Sequence, residues 1–220
     1  MFDKFIDAVS LKDKDQTWGS FILEMAILIV FIFFIRTYVF QLFRVSGPSM
    51  CPTLNQMEDG CQYGNGEFIF VNEFVYNFLH DPERGEIVVF KEAGLGKNLI
   101  KRIMGVPGDK VEVIDGKVYR TNANSRLSTS LKVNERIELE EPYLSAKNQG
   151  MTRASKEEFI VPEGKYLLFG DNRLESLDSR LCFSHGCNEN NTAFVDLDTI
   201  KGRAEFTLWP TQRSLEVIDY

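Results

Sequence analysis

The stretch from Trp18 to Phe43, WGSFILEMAILIVFIFFIRTYVFQLF, constrains this chain most, because Glu24 and Arg36 are its only charges. A helix needs about 20 apolar residues to cross a bilayer, and this run is long enough. It is apolar all round, whereas a helix lying on a soluble core carries a single stripe. A buried core helix and a cleaved leader are the alternatives. The leader fits badly: it needs a short basic start and small residues after the apolar stretch, whereas Arg36-Thr37-Tyr38-Val39-Phe40 stand here. The expected organisation is a cytoplasmic leader over 1–17, a retained transmembrane helix over 18–43, and an extracytoplasmic domain over 44–220. Lys4, Lys12 and Lys14 before the span, against Arg36 and Arg44 at and beyond its end, lean weakly toward that orientation.

The 220-residue chain is long enough to bury a real core beside this appendage. Its formal net charge of -7 offers no basic stripe, so nucleic acid is not an expected partner. Beyond the span the sequence reads as β. Short runs at Glu67 to Val71, Glu86 to Phe90, Lys110 to Ile114, Lys117 to Tyr119, Tyr166 to Phe169 and Ala204 to Leu208 are separated by Gly, Asp, Asn and Pro. Asp115-Gly116 is the clearest hairpin turn, since that pair accepts positive φ angles. Asn72 to Leu79 and Ser155 to Phe159 are each expected to supply a helical turn or two. The polar region 121–153 reads as a variable β-rich insertion.

Directly after the span comes Val45-Ser46-Gly47-Pro48-Ser49-Met50-Cys51-Pro52-Thr53-Leu54. Pro48 fixes its own φ and biases Gly47 toward an extended shape, which places Ser49 at a defined point. Taken alone, Ser49 reads equally as a turn serine. A nucleophilic serine needs a base, and neither His80 nor His185 lies in a catalytic context. A lysine is the other known partner. Lys101 lies in Asn98-Leu99-Ile100-Lys101-Arg102-Ile103-Met104, where apolar neighbours describe a strand able to carry it out of water. An ordinary lysine, with a pKa near about 10.4, is almost never neutral at pH 7, so this role requires desolvation. The polar block Gly170 to Arg180 reads either as a solvated loop or as support for the lysine.

Four blocks then occur in order: Ser49 to Leu54, Arg84 to Lys91, Lys101 to Asp109, and Gly170-Asp171-Asn172-Arg173 through Asp178-Ser179-Arg180. Together they resemble the bacterial type I signal peptidases, from the span to about Leu208. The resemblance implies a mainly β catalytic domain of coiled antiparallel sheets preceded by one transmembrane helix. It also implies a serine endopeptidase that removes signal peptides from exported preproteins without a cofactor. Ser49 would be the nucleophile and Lys101 the general base. Ser176 matches a serine that hydrogen-bonds the lysine, and Asp178 and Arg180 match a supporting ion pair. The substrate would add as a strand between Phe43 to Ser46 and Asn98 to Ile100. Val45, Met50, Leu54, Leu99 and Ile100 would line the pocket for the residue before the cut, with Phe43 and Val89 near the pocket two residues upstream. Preproteins, the lipid bilayer and proximity to the export machinery are the implied partners. A related Ser-Lys peptidase with narrower substrates is the nearest rival, and a β-domain that binds export partners without cutting them is a rival of another class.

Two departures from the family pattern stand out. Some members carry a serine hydroxyl two residues before the nucleophile, aimed at the oxyanion, and Gly47 stands at that position here. Insertions at Met57 to Gly66 and Leu181 to Asn191 carry three of the four cysteines. Cys182 and Cys187 are read as a disulfide in preference to a zinc site, for which too few ligands are apparent, or to free thiols. Cys51 and Cys61 are candidates for a second bridge. No metal is expected.

Overall fold

The structure is a computed structural model that describes residues 18–57, 60–92, 94, 96–122, 136–152, 156–184, 187, 192–210, 212–218 and 220. His185 and 123–135, a part of the polar region, lie outside the described residues. The apolar helix and the domain from Phe40 to Tyr220 form separate compact units.

Helix α1 covers Trp18–Tyr38, and none of its 21 residues is buried. At about 1.5 Å per residue that length matches a hydrocarbon core of roughly 30 Å. The helix stops earlier than the expected Phe43, because Phe40–Ser46 forms strand β1. β-Branched and aromatic residues gather at Thr37 to Phe40, where helix propensity falls. The backbone groups of Phe40 to Arg44 are instead satisfied by antiparallel pairing with Asn72 to Phe68.

The domain is built from short strands: β2 (Gln56–Met57), β3 (Gly60–Cys61), β4 (Asn65–Asn72), β5 (Ile87–Glu92), β6 (Lys97–Gly105), β7 (Asp109–Ile114) and β8 (Lys117–Asn122). They continue with β9 (Ile137–Glu138), β10 (Lys156–Ile160), β11 (Lys165–Phe169), β12 (Phe194–Asp196), β13 (Ile200–Trp209) and β14 (Arg213–Ser214). The main sheet runs β1-β4-β13-β5-β6-β11-β12, with β14 on β13, and a second sheet runs β10-β7-β8-β9. Among the described residues every strand pair is antiparallel. β5 is interior to the main sheet and buries Ile87, Val88, Val89 and Phe90 in succession, as a strand covered on both faces must. β7 alternates buried and half-buried residues, the mark of a strand with one covered face. Asp115 and Gly116 make the β7–β8 turn with φ of 50° and 76°. Both positive angles are what the Asp-Gly pair supplies.

Two local expectations resolve differently. Phe74–Phe78 is a short helix, α2, within the expected segment. Of the segment Ser155 to Phe159, Ser155 lies outside the described residues, and the rest is strand: Lys156–Ile160 pairs with β7, so neighbouring strand bonds override local preference. Residues 136–152 are also more than a polar insertion. Leu139, Leu144 and Asn148 are buried, and Tyr143 lies under the Arg102 guanidinium at 3.9 Å from ring centre to carbon.

Candidate active site

Behind the candidate site lies a core of Val45, Met50, Leu54, Ile69, Val71, Ile87, Val89, Ala204 and Leu215. The chain leaves β1 at Ser46 and turns sharply. Cys51 N–H donates to Pro48 O at 3.0 Å, and Leu54 N–H to Met50 O at 2.9 Å. This turn sends Met50 and Leu54 into the core and leaves Ser49 half-buried at the surface. Lys101 is in the middle of β6, opposite Val88 of β5, and is 3 % exposed.

The two side chains meet. Lys101 Nζ is 2.7 Å from Ser49 Oγ and donates to Ile100 O at 2.8 Å. Burial lowers the Lys101 pKa to about 8; the Arg180 charge acts in the same direction, while Asp178 and Asp171 oppose it. An amine with that pKa is neutral in a useful fraction of molecules near neutral pH, and its lone pair can then accept the serine proton.

The polar block after β11 is folded against both groups. Asp178 is fully buried and accepts from Arg180 Nε at 2.9 Å, from Arg180 Nη2 at 2.7 Å and from Gly170 N–H at 2.8 Å. Burial opposes its ionisation, yet Arg180, the Gly170 amide and the Ser176 hydroxyl outweigh it and hold the carboxyl below its ordinary pKa. Asp171 accepts from Arg102 Nε at 3.1 Å and Nη2 at 2.9 Å, and from Thr53 Oγ1 at 2.5 Å, which ties the Ser49 turn to this block. Asn172 holds the turn directly: its N–H donates to Ser49 O at 3.0 Å and its Nδ2 to Pro48 O at 3.1 Å. Gly170 permits this approach, since a Cβ there would meet Ser176 Oγ at 2.1 Å and Ser49 O at 2.5 Å.

Ser176 belongs to the same block. It is completely buried, but its Oγ has no hydrogen-bond partner at normal geometry, and Lys101 Nζ instead engages Ser49 and Ile100.

A groove of about 150 Å³ opens at the pair, lined by Phe43, Arg44, Val45, Ser46, Ser49, Ile69, Val89, Asn98, Leu99, Ile100 and Lys101. Of the proposed pocket residues, Phe43, Val45, Val89, Leu99 and Ile100 line it, whereas Met50 and Leu54 form part of the core behind. Gly47 has φ 90° and accepts through its carbonyl from Asn55 Nδ2 at 2.9 Å. The sulfurs of Cys51 and Cys61 are joined, with Cα atoms 5.9 Å apart, and those of Cys182 and Cys187 likewise at 5.3 Å. His80 lies after α2 with Nδ1 2.7 Å from Asp81 O. Sequence reading missed Asn55, Glu67 and Asn148. Asn148 donates to Asn172 Oδ1 at 3.2 Å and accepts from Leu174 N–H at 3.2 Å.

Residues 18–209 match the family described as signal peptidase, peptidase S26. The chain is 32% identical over 177 residues to signal peptidase I U of Bacillus subtilis (strain 168), covering 78% of this chain and 82% of the relative. It is 30% identical over 207 residues to signal peptidase I of Bacillus amyloliquefaciens, with 91% and 90% of the two chains covered. Identity to signal peptidase I of Rickettsia massiliae (strain Mtu5) is also 30%, over 91% of this chain and 82% of that one. The class is thus a membrane-anchored peptide-bond hydrolase of mainly antiparallel β fold. The chain belongs to the signal peptidase S26 family, and its activity is that of a signal peptidase I.

Proposed function

We propose that this enzyme removes signal peptides from exported preproteins by a Ser-Lys dyad, with Ser49 as nucleophile and neutral Lys101 as general base. The observation that carries the reading is the 2.7 Å approach of a buried amine, its pKa lowered to about 8, to the Ser49 hydroxyl. Ser49 Oγ attacks the carbonyl at the cleavage site as Lys101 Nζ takes its proton. The tetrahedral oxyanion is held by backbone donors, of which the Ser49 N–H is the nearest, since Pro48 has none. Collapse expels the amine of the mature protein, protonated by Lys101, and leaves an acyl-enzyme. Lys101 then takes a proton from water as that water attacks the ester and releases the signal peptide.

The substrate lies extended between β1 and the start of β6 and adds to the sheet by backbone bonds. Small apolar pockets at this groove select alanine, or a residue of similar size, at the first and third positions before the cut. Asp178 and Arg180 brace the loop behind the lysine. The catalytic domain works outside the cytoplasmic membrane, beside the export machinery, where translocated cleavage sites emerge.

Ser49→Ala and Lys101→Met test the dyad when assayed with a purified preprotein and N-terminal sequencing of the product. Each should abolish cleavage in a folded protein, and the double variant should be no worse than either, because the two groups act as a unit. Lys101→Arg should be equally inactive, since a guanidinium keeps its proton. Near-normal turnover by folded Lys101→Arg would overturn the assignment.

A further inference from the structure

We propose that Asn55 is a positioning residue for catalysis, whose side-chain amide fixes the peptide units that carry the Ser49 N–H to the oxyanion. The proposal rests on the assignment of Ser49 as nucleophile. Asn55 is 0% exposed, and all its polar groups are engaged. Its Nδ2 donates to Gly47 O at 2.9 Å, its Oδ1 accepts from Glu67 N–H at 2.9 Å, and its own N–H donates to Glu67 Oε2 at 2.6 Å. Glu67 is held in turn by Arg213, whose Nη2 donates to Glu67 Oε2 at 2.9 Å and to Thr53 O at 2.7 Å. Space is kept for this side chain: a Cβ on Gly66 would stand 1.9 Å from Asn55 Oδ1. The amide is therefore anchored on strand β4 and reaches across to the nucleophile turn.

What it grips is the flexible point of that turn. Gly47 has no Cβ to restrict ψ, and at φ 90° it occupies a region that other residues seldom enter. Rotation at Gly47 would swing Pro48, and with it the Ser49 N–H. Three successive carbonyls are held against this: Gly47 O by Asn55, Pro48 O by Asn172 Nδ2, and Ser49 O by Asn172 N–H. Asn172 secures the downstream side and Asn55 the upstream side, so the Ser49 N–H between them has one direction. Asn55 itself has φ 61°, a conformation that glycine, asparagine and aspartate tolerate. Among these three, only asparagine donates a hydrogen bond from its side chain while keeping the acceptor for Glu67. An oxyanion donor matters most when charge has formed on the substrate oxygen, so loosening it costs the transition state more than the bound substrate.

The test compares Asn55→Gly, which keeps the backbone conformation, and Asn55→Asp, which removes the donor and keeps the acceptor, in the full chain in detergent, with Ser49→Ala alongside. A signal-peptide fragment ending in an aldehyde, which adds to a serine hydroxyl as a hemiacetal, probes the oxyanion site. The same fragment ending in an amide probes ground-state binding. Misplacing a catalytic group by even a fraction of an ångström lowers rate steeply, so kcat should fall about tenfold or more, with KM changed less than about twofold. Aldehyde affinity should fall with kcat while amide affinity holds. The pH at which activity rises should stay where it is, because Lys101 is untouched. Normal kcat in either folded variant, or equal losses of aldehyde and amide affinity, would overturn the positioning role. Should Asn55→Gly fail to fold, Asn55→Asp decides. Cleavage by Ser49→Ala would instead refute the nucleophile assignment, and so separates the two failures.

Discussion

Lys101 is the residue on which reactivity and stability pull in opposite directions. Burial lowers its pKa from 10.5 to about 8, so below pH 8 the folded domain holds a charged ammonium that the unfolded chain would leave in water. At about 1.4 kcal/mol per pKa unit this costs on the order of 3 kcal/mol. Between about pH 8 and 10.5 the unfolded state binds the extra proton, so stability rises with pH across that window and the penalty disappears above it. Lys101→Met, which keeps the apolar stem without the charge, is expected to be inactive yet more stable than the parent at pH 7, by up to about 3 kcal/mol before its two lost hydrogen bonds are deducted. Denaturant melts at pH 7 and pH 10.5 check this, since the difference should shrink at the higher pH. With Lys101 as the proposed base, the same titration has the opposite consequence for catalysis: activity should climb through about pH 8 as the amine becomes neutral. A rate profile flat from pH 6 to 10 would mean that Lys101 is not the titrating base.

At the scale of elements, the β5–β6 pair sets both the chemistry and the groove. Lys101 is opposite Val88 and Ile100 opposite Val89, so the two neighbours take alternate faces of the strand pair while both border the groove. A one-residue slip would exchange them. Val89→Ala at the third position before the cut and Ile100→Ala at the first should each enlarge the groove and raise cleavage of substrates with valine at that position, roughly tenfold relative to alanine substrates. A peptide series at each position measures it, and an unchanged preference would remove these residues from the pocket. Much of this pair was legible in sequence: apolar runs marked both strands, Asp115-Gly116 marked the next hairpin, and Lys101 stood out as a charge inside an apolar strand. Less legible was what depends on pairing at a distance. Phe40 to Phe43 continue the apolar composition of α1, and only their bonds to β4 make them a strand. Asn55 meets Glu67 through an inserted hairpin, and Glu141 pairs with Arg173 from a region that reads as polar loop. Single polar residues of this kind carry no periodic signal, so their partners emerge only from the fold.

For the molecule as a whole, the compartment of the catalytic domain determines which cleavage sites it can reach. Charge alone places it weakly, with Lys4, Lys12 and Lys14 on one side of the span against Arg36 and Arg44 on the other. The cysteines add an independent consideration. Both disulfides, Cys51–Cys61 and Cys182–Cys187, lie after α1, and such bonds persist where the surroundings are oxidising. One of them closes the loop that begins two residues after Ser49. Protease added to intact spheroplasts of a bacterial host expressing the chain should therefore digest the domain after Arg44 and leave a small fragment containing the span. Thiol labelling of denatured protein, before and after reduction, should show the four cysteines unreactive until the bonds are reduced. Protection of the domain until lysis, together with thiols free before reduction, would put it on the cytoplasmic side and remove translocated preproteins as its substrates.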